Sequence, residues 1–515
     1  MDELLLEQRM AERIVRLANV AKTPELEKLL VRLLESAKEG HLCLELEEIP
    51  ELPLALCSLG EEGTPFLRTP LVLQKNRLYI QRNWALESLL VEKAVELSQR
   101  IPSSPEILLP IQEQLELKQT EAIAKAARQS FSIFVGGPGT GKTYTAGCFV
   151  RLLANTHWTR TFKTMIAAPT GKAAAHLESA LVAQGPLPKN LECTSMTLHR
   201  LLRIRPGNQN FFSERKIDAD LIVVDEASML DSSLMLHLLN AIGPDTQLLL
   251  LGDPDQLPPI EAGSLFSEMA ELFGSRLERS LRMGEPALIS LAQAILQGDV
   301  KPVLEAASGS AFDSQEQLLF ELCKWFPSPI HSVKPDPMAC LQEHQGLRIL
   351  SVLRQGPFGV DALNRELVKR FERQLRPSDW LAIPILISQN DPKQELYNGT
   401  MGVLIRQGFA GQATAYFSMA EGIRAISEGA LPHYEWAICL SVHKSQGSEF
   451  EEVLVLFPPG SERFGRAALY TAVTRAKRKA TLLGNSSTFA AGLAAPIRKR
   501  SGFTERFLKF KRGAH

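Results

Sequence analysis

Short apolar runs alternate with segments of helical periodicity from about residue 110 onward. Four runs have the length and apolar content typical of buried parallel strands, namely residues 131–135, 164–168, 221–224 and 247–251. Alternation of strands and helices is typical of a doubly wound α/β sheet. We therefore predict an α/β domain over residues 106–275, interrupted by a small polar insertion at about 190–217.

A second α/β pattern follows and predicts a second domain over residues 276–515. The strands predicted there are residues 348–352, 384–387, 453–457 and 480–483. Shorter strand-like runs indicate a small β insertion at about 388–432. Two α/β halves in tandem, of which only the first holds a phosphate-binding motif, are typical of a machine that binds a nucleotide between its halves.

The first 105 residues follow another pattern, which predicts a mainly helical N-terminal domain. Apolar residues recur at helical spacing over 10–21 and 26–34, and Thr23-Pro24 is a favourable helix start. A hairpin is predicted near residues 71–80. The proline- and serine-rich stretch at 101–105 cannot continue either periodicity, so we take it as a linker.

Composition restricts the partners and the compartment. The net charge of −1 and the isoelectric point near 6.8 provide no general attraction to polyanions, so any nucleic-acid surface must be local. Seven scattered cysteines without a C-x-x-C pair argue against a disulfide framework or a structural zinc site. Acidic residues near the start and the lack of a long apolar run argue against a signal peptide and a membrane span. We expect a cytoplasmic protein.

The sequence GGPGTGKT directly follows the first predicted strand. It fits the phosphate-binding loop G-x-x-x-x-G-K-[ST], whose backbone N–H groups surround a β-phosphate. In that motif Lys142 contacts the β- and γ-phosphates and Thr143 a Mg²⁺ ion. The nucleotide-binding residues expected here are Gly136, Gly137, Pro138, Gly139, Thr140, Gly141, Lys142 and Thr143.

Polar residues also follow other predicted strands of the first domain. Asp225 and Glu226 come directly after residues 221–224, and strand ends of this kind bind ligands in α/β sheets. We expect Asp225 to hold Mg²⁺ and Glu226 to orient or deprotonate the attacking water. Gln256, in the turn after residues 247–251, is expected to sense the γ-phosphate.

Two further groups suggest contacts with phosphates of a polynucleotide. Pro169-Thr170 and Lys172 lie at a predicted helix start, although, taken alone, this segment is better interpreted as a plain helix cap. The polar run 441–450, with His443 and Lys444, fits a loop that grips a strand phosphate or a ribose.

Two arginines, Arg282 and Arg475, are candidate cations for the γ-phosphate of the nucleotide. A cation supplied in this way is worth about 10³–10⁵ in the rate of phosphoryl transfer.

In this order the motifs resemble those of superfamily 1 DNA helicases and, more narrowly, of the RecD family, the alpha subunits of RecBCD-type helicase–nucleases. The resemblance spans nearly the whole chain. The motifs that carry it are Gln119, GGPGTGKT, APTGKAA, VVDEASM, GDPDQLPP, the arginine segment 278–282, SVHKSQGSEF and YTAVTRAKR. Cys439-Leu440-Ser441 departs from the family pattern, in which a methionine and a threonine precede Val-His.

The resemblance implies two tandem RecA-like motor domains, an SH3-like insertion and an N-terminal partner-binding domain. It implies 5′–3′ movement on DNA fuelled by ATP with Mg²⁺, on single strands and duplex ends. It assigns Gln119 to the adenine, Glu449 to the ribose, and Arg282 and Arg475 to the γ-phosphate. The residues it assigns to the single-strand channel are Pro169, Thr170, Lys172, His199, Ser441, His443, Lys444 and Ser445.

The resemblance also implies beta and gamma partner subunits, one of which would hold the nuclease centre, since this sequence shows no nuclease motif. Three alternatives remain open: a non-motor P-loop protein, a scaffold with a vestigial ATPase, and a stand-alone helicase. The roughly 105 residues before the motor favour a subunit over a stand-alone helicase, which carries a longer N-terminal region. The basic C-terminal tail is interpreted as either a DNA or partner contact or a solvated charge cluster.

Overall fold

The computed structural model describes residues 2–102, 115–204, 215–259, 263–278, 285–307, 312, 314–391, 393–409, 411–419, 422–495 and 500–513. The chain divides into two compact units. The first unit contains Met1–Pro254, Pro258–Ser280 and Arg498–His515, and the second contains Asp255–Leu257 and Leu281–Ile497. Among the described residues, no helix is both long and apolar enough to cross a membrane.

The N-terminal part of the first unit combines helices with a small sheet. Its elements are α1 (Asp2–Leu17), α2 (Pro24–Lys38), β1 (Cys43–Glu45), β2 (Cys57–Leu59), β3 (Leu71–Gln74), β4 (Arg77–Ile80) and α3 (Gln81–Gln99). The helix start predicted at Thr23-Pro24 is confirmed, because the Thr23 hydroxyl accepts a hydrogen bond from Leu26 N at 3.2 Å. The sheet order is β1-β4-β3-β2, and β3 and β4 form the predicted hairpin.

A six-stranded sheet forms the rest of the first unit, in the order β10-β5-β9-β8-β6-β7, with every pair of neighbours parallel. Its elements are α4 (Leu117–Ala126), β5 (Phe131–Val135), α5 (Lys142–Thr156), β6 (Phe162–Ala168), α6 (Gly171–Ala183), β7 (Leu191–Thr197), α7 (Leu198–Leu201), β8 (Leu221–Val224), α8 (Ser232–Ala241), β9 (Gln247–Gly252), α9 (Phe266–Phe273) and β10 (Gly274–Arg276). All four strands predicted for this domain are present. The segment 190–217, predicted as an insertion, begins as strand β7, and residues 205–214 lie outside the described part.

The second unit contains two sheets. Its elements are α10 (Pro286–Gln297), α11 (Val300–Ala306), α12 (Gln315–Trp325), β11 (Ile330–His331), α13 (Pro337–Gly346), β12 (Leu347–Ser351), α14 (Val360–Gln374), β13 (Trp380–Ile387), β14 (Met401–Gln407), β15 (Thr414–Met419), β16 (Gly422–Ser427), β17 (Tyr434–Trp436), β18 (Cys439–Ser441), α15 (Val442–Ser445), β19 (Phe450–Phe457), α16 (Gly465–Val473), β20 (Ala476–Gly484) and α17 (Ser486–Ala494). The parallel sheet has the order β18-β12-β19-β20.

One strand predicted for the second α/β domain is present but belongs to a different sheet. Residues 384–387 belong to β13, which pairs antiparallel with β11, β14 and β17 in a separate sheet. A continuous apolar run predicts a strand buried on both faces but does not identify its neighbours. The fourth parallel strand is instead β18, which is only three residues long and was not predicted. Strands β14, β15 and β16 do form within the predicted β insertion at 388–432.

The last helix, α18 (Phe503–Gly513), belongs to the first unit, whereas the sequence division placed it in the second domain. Arg506 anchors it. The guanidinium is buried, lies 3.8 Å from the centre of the Trp84 ring, and pairs with Glu87 and Glu62 at 3.1 Å each. Burial raises the pKa of Glu87 despite the nearby arginine. This member of the basic C-terminal cluster therefore has a structural role within the chain.

Replacing Arg506 with methionine is expected to destabilise the first unit by about 3–5 kcal/mol, because it leaves the buried carboxylate of Glu87 without its cation. Urea unfolding followed by tryptophan fluorescence measures this, since the guanidinium covers Trp84. Adding Glu87→Gln should recover part of the loss. Lys509→Met, at an exposed position of the same helix, is the control. Equal unfolding midpoints for the Arg506 and Lys509 variants would contradict the structural role.

Candidate functional site

The phosphate-binding loop connects β5 to α5. Gly141 is the N-cap of α5 and has a φ of 81°, a left-handed conformation that glycine adopts without steric cost. A Cβ atom at Gly136 would lie 2.5 Å from Thr140 Oγ1 and 2.7 Å from Leu277 O. The loop is therefore packed so tightly that side chains are excluded at these positions. Its N–H groups can approach an anion at the N-terminus of α5, where the helix dipole favours negative charge.

Lys142 is folded over this loop. Its ammonium group donates hydrogen bonds to Gly136 O at 2.6 Å and Gly137 O at 2.9 Å, and the Thr140 hydroxyl also donates to Gly137 O at 2.9 Å. Pro138 and Gly139 form the turn of the loop, and Thr143 lies half-buried in the first turn of α5. The lysine is thus held at the loop by carbonyl oxygens that phosphate oxygens can replace as acceptors.

Gln119 lies beside the same loop. Its side chain is buried, and its Oε1 accepts a hydrogen bond from Glu116 N at 3.1 Å as part of the capping box of α4. Its Nε2 lies only 2.6 Å from where a Cβ of Gly141 would be. The structure therefore brings Gln119, predicted to bind the base, next to the residues predicted to bind the phosphates.

Asp225 and Glu226 follow β8, which β9 separates from β5 in the parallel sheet. Because these strands are parallel, their carboxyl ends lie at one edge of the sheet. The buried Asp225 accepts a hydrogen bond from Glu226 N at 2.8 Å. Glu226 has a φ of 53°, a left-handed conformation that costs a non-glycine residue about 1–3 kcal/mol and is concentrated at functional sites.

Gln256 lies in a different unit from the one predicted. The sequence placed it in a turn of the first domain, but Asp255–Leu257 belong to the second unit. Gln256 is buried there. The neighbouring Leu257 donates its N–H to Thr471 Oγ1 at 2.6 Å and accepts at its carbonyl from Gln446 Nε2 at 2.9 Å.

Of the two candidate γ-phosphate cations, Arg282 lies outside the described residues. Arg475 lies just after α16 and is buried. Its Nε donates to Thr471 O at 3.2 Å, and its own carbonyl accepts from Phe450 N at 2.9 Å. These bonds fix the position of the residue in the second unit.

The loop 441–449 surrounds the short helix α15. Ser441 is its N-cap, and its hydroxyl oxygen accepts a hydrogen bond from Lys444 N at 3.3 Å. Ser445 is fully buried and donates to Val442 O at 2.7 Å, which gives it a role in shaping the loop. Lys444 pairs with Glu435 at 2.5 Å. His443 is half-buried and Glu449 is exposed.

The first unit brings its predicted strand-contact residues to one sheet edge. Strands β6 and β7 are parallel neighbours whose last residues, Ala168 and Thr197, are register partners. Pro169 and Thr170 follow β6, and Thr170 caps α6 by accepting from Ala173 N at 3.3 Å. His199 follows β7 and is exposed. Lys172 lies in α6, and its side chain is outside the described part of the structure.

Asn364 is a positioning residue that the sequence analysis gave no role. Its Nδ2 donates to Trp436 O at 2.7 Å and Cys439 O at 2.9 Å, and its Oδ1 accepts from Cys439 N at 2.8 Å. The buried amide thereby fixes the backbone just before the loop 441–449. A signal was present, because this asparagine interrupts the apolar stripe of α14 formed by Leu363 and Leu367.

Comparisons with known proteins cover both units. The AAA domain family matches residues 119–262, and the UvrD-like helicase C-terminal domain family matches residues 437–483. The chain is 32% identical over 547 residues to the RecBCD enzyme subunit RecD of Mycolicibacterium smegmatis, with 95% of each chain covered. It is 28% identical over 396 residues to the ATP-dependent RecD2 DNA helicase of Deinococcus radiodurans, covering 73% of this chain and 50% of the relative. A Bacteroides Pif1 helicase structure with ADP-AlF3 and ssDNA aligns with 78% of this chain and 97% of its own, at 17% identity and a TM-score of 0.43.

Gly141→Ala is expected to weaken nucleotide binding about tenfold or more, because a left-handed alanine costs about 1–2 kcal/mol and its Cβ displaces Gln119. Titration with a fluorescent ATP analogue measures this. Gly171→Ala is the matched control, since a Cβ there meets only Thr197 Cγ2, at 3.8 Å. Similar affinities for the two variants would show that the tight packing at Gly141 does not matter for the nucleotide.

Proposed function

Because the chain belongs to the RecD family of superfamily 1 DNA helicases, we propose that it is the ATP-driven 5′–3′ translocase subunit of a RecBCD-type helicase–nuclease. The observation that carries the proposal is the match to a RecD subunit over 95% of both chains. The tightly packed phosphate loop with Lys142 folded over it supports ATP hydrolysis as the energy source. The 5′–3′ direction rests on the family resemblance.

ATP would be held in the first unit by the loop from Gly136 to Thr143, with its base beside Gln119. The chemistry of the donor set fits Mg²⁺, a hard cation that binds one or two protein oxygens together with phosphates and water. Thr143 and Asp225 would supply those protein oxygens. No group of three or more potential ligand side chains forms a self-sufficient metal site among the described residues. When bound, Mg²⁺ neutralises phosphate charge.

Four further side chains would act on the attacking water and on the γ-phosphate. Glu226 would orient the water, and the strained backbone at this residue is the observation that supports a catalytic role. Arg475, Arg282 and Gln256 would interact with the γ-phosphate. Arg475 is buried and its Nε is held by the carbonyl of Thr471, so it can provide such an interaction without reorganisation during the reaction.

A DNA strand would contact loops of both units, as the family resemblance implies. In the first unit these are the segments after β6 and β7, with Thr170 and His199. In the second unit the loop 441–449 would take part, with Ser441, His443 and Lys444. Exposed or half-buried polar groups at these loops support the proposal, since phosphate contacts are made by such side chains and by helix N-termini.

We infer that the N-terminal domain binds the partner subunits, which would be of the beta and gamma types. Large apolar side chains are exposed on it, including Leu54 at 88%, Leu59 at 75% and Phe66 at 64%. Exposed apolar surface is typical of protein interaction sites when it forms a patch, so these side chains are the candidate contacts. The seven cysteines are all free thiols, which supports a reducing, cytoplasmic location.

Lys142→Gln is expected to lower DNA-stimulated ATP hydrolysis on the order of 100-fold or more, because it removes the cation that stabilises the phosphate charge. Binding of single-stranded DNA and the melting temperature should stay near wild type. Lys125→Gln is the matched control, since Lys125 also donates to a backbone carbonyl, that of Gly274 at 2.9 Å. Near-normal unwinding by the Lys142 variant would refute the proposed motor.

The variant Leu54→Glu/Leu59→Glu is expected to lose co-purification with a second helicase and a nuclease-bearing chain, because it places charges in the exposed apolar surface. Tagged chain isolated from its own cells, with the bound chains identified, provides the measurement. Phe409→Glu, at an exposed site of the second unit, is the control. Unchanged co-purification of the double variant would exclude this surface, and isolation of the wild-type chain alone would favour a stand-alone helicase.

A further inference from the structure

Thr471 lies at the centre of a buried hydrogen-bond network in the second unit. The residue is fully buried in α16, near the end of the helix. Its hydroxyl accepts from Leu257 N at 2.6 Å, and its carbonyl accepts from Arg475 Nε at 3.2 Å. One residue therefore contacts both the segment that carries Gln256 and the side chain of Arg475.

The direction of these hydrogen bonds is fixed by chemistry. The Thr471 hydroxyl has one proton, which it donates to Ala467 O at 2.7 Å. Only its lone pairs remain for the N–H of Leu257. Both polar backbone groups of the buried Leu257 are thus hydrogen-bonded by side chains, the N–H by Thr471 and the carbonyl by Gln446 Nε2 at 2.9 Å.

The Leu257 side chain reinforces this arrangement. It is buried in the hydrophobic core of the second unit, together with residues of α10, β12 and α16. Backbone and side chain thus hold residues 255–257 to the second unit, although β9, which precedes them, is part of the sheet of the first unit. Leaving the Leu257 N–H buried without a partner would cost about 1–3 kcal/mol, which favours the observed contact.

We propose that Thr471 is a positioning residue that holds Gln256 and Arg475 in a fixed mutual geometry, so that both contact the γ-phosphate in the same step. The inference rests on the proposed function, which assigns both side chains to the γ-phosphate. Gln446, which bonds the other side of Leu257, links the same network to the loop 441–449. Nucleotide-sensing and strand-contact groups of the second unit therefore share one buried network.

The side chain and the backbone of Thr471 can be separated by mutation. Every substitution keeps the carbonyl that binds Arg475, so Thr471→Val removes only the two bonds of the hydroxyl, the one from Leu257 N and the one within the helix to Ala467 O. DNA-stimulated kcat should fall about 10- to 100-fold, the range expected for small misplacements of a catalytic group. The KM for ATP and the number of ATP-analogue molecules bound per chain should stay within about twofold of wild type.

Three further variants of the full-length chain distinguish positioning from general damage. Thr471→Ser keeps the hydroxyl and should retain kcat within about threefold of wild type. Thr474→Val is the matched control, because it removes another buried hydroxyl at the same end of the helix. That hydroxyl donates to Thr471 O at 3.1 Å and is not bonded to Leu257, so kcat of this variant should also stay within about threefold of wild type. Thr471→Val should have little additional effect in a Gln256→Ala background, since it acts through that residue.

Hydrogen–deuterium exchange tests the contact without any assay of activity. The amides of residues 255–257 should exchange faster in Thr471→Val than in the wild type, and as slowly as wild type in Thr471→Ser. Unchanged exchange, equal losses of kcat in the valine and serine variants, or additive effects with Gln256→Ala would each overturn the inference. A wild-type chain without DNA-stimulated ATPase would refute the proposed function instead, and exchange would still decide whether Thr471 holds this segment.

Discussion

The parallel arrangement of the first sheet is the constraint on which the candidate site depends. In a parallel sheet all carboxyl ends lie at one edge, so groups far apart in the sequence are brought to the same edge. The phosphate loop follows β5, Asp225 follows β8, Thr170 follows β6, and α7 with His199 follows β7. Loops at one edge of this sheet can therefore contact both a nucleotide and a DNA strand.

Residues that fix these loops are as informative as those that would contact ligands. Most buried polar side chains in proteins are hydrogen-bonded, and three of them here hold a segment of the chain in place. Asn364 holds the backbone before the loop 441–449, and Thr471 holds Leu257. Arg506 performs the same task in the first unit, where it attaches the last helix to α3 through Glu87 and Ser88. Such contacts preorganise a site because they leave few alternative positions.

Sequence patterns predicted those elements that depend on a short stretch of neighbouring residues. Apolar runs predicted four strands of the first sheet, and the glycine-rich loop with Lys142 gave the prediction of a nucleotide site at its edge. Sequence could not assign β13 to its antiparallel sheet, because an apolar run carries no information about the neighbouring strand. The sequence also did not predict that α18 belongs to the first unit, or that Leu257 is hydrogen-bonded to Thr471. The latter joins residues 214 positions apart, so no local pattern reveals it.

We propose that ATP hydrolysis by this chain drives movement along a DNA strand in the 5′–3′ direction. Displacement of streptavidin from biotinylated single-stranded oligonucleotides tests it most directly. We expect ATP-dependent displacement when the biotin is at the 3′ end and little displacement when it is at the 5′ end. Preferential displacement from the 5′ end, or no ATP-dependent displacement from either end, would contradict it.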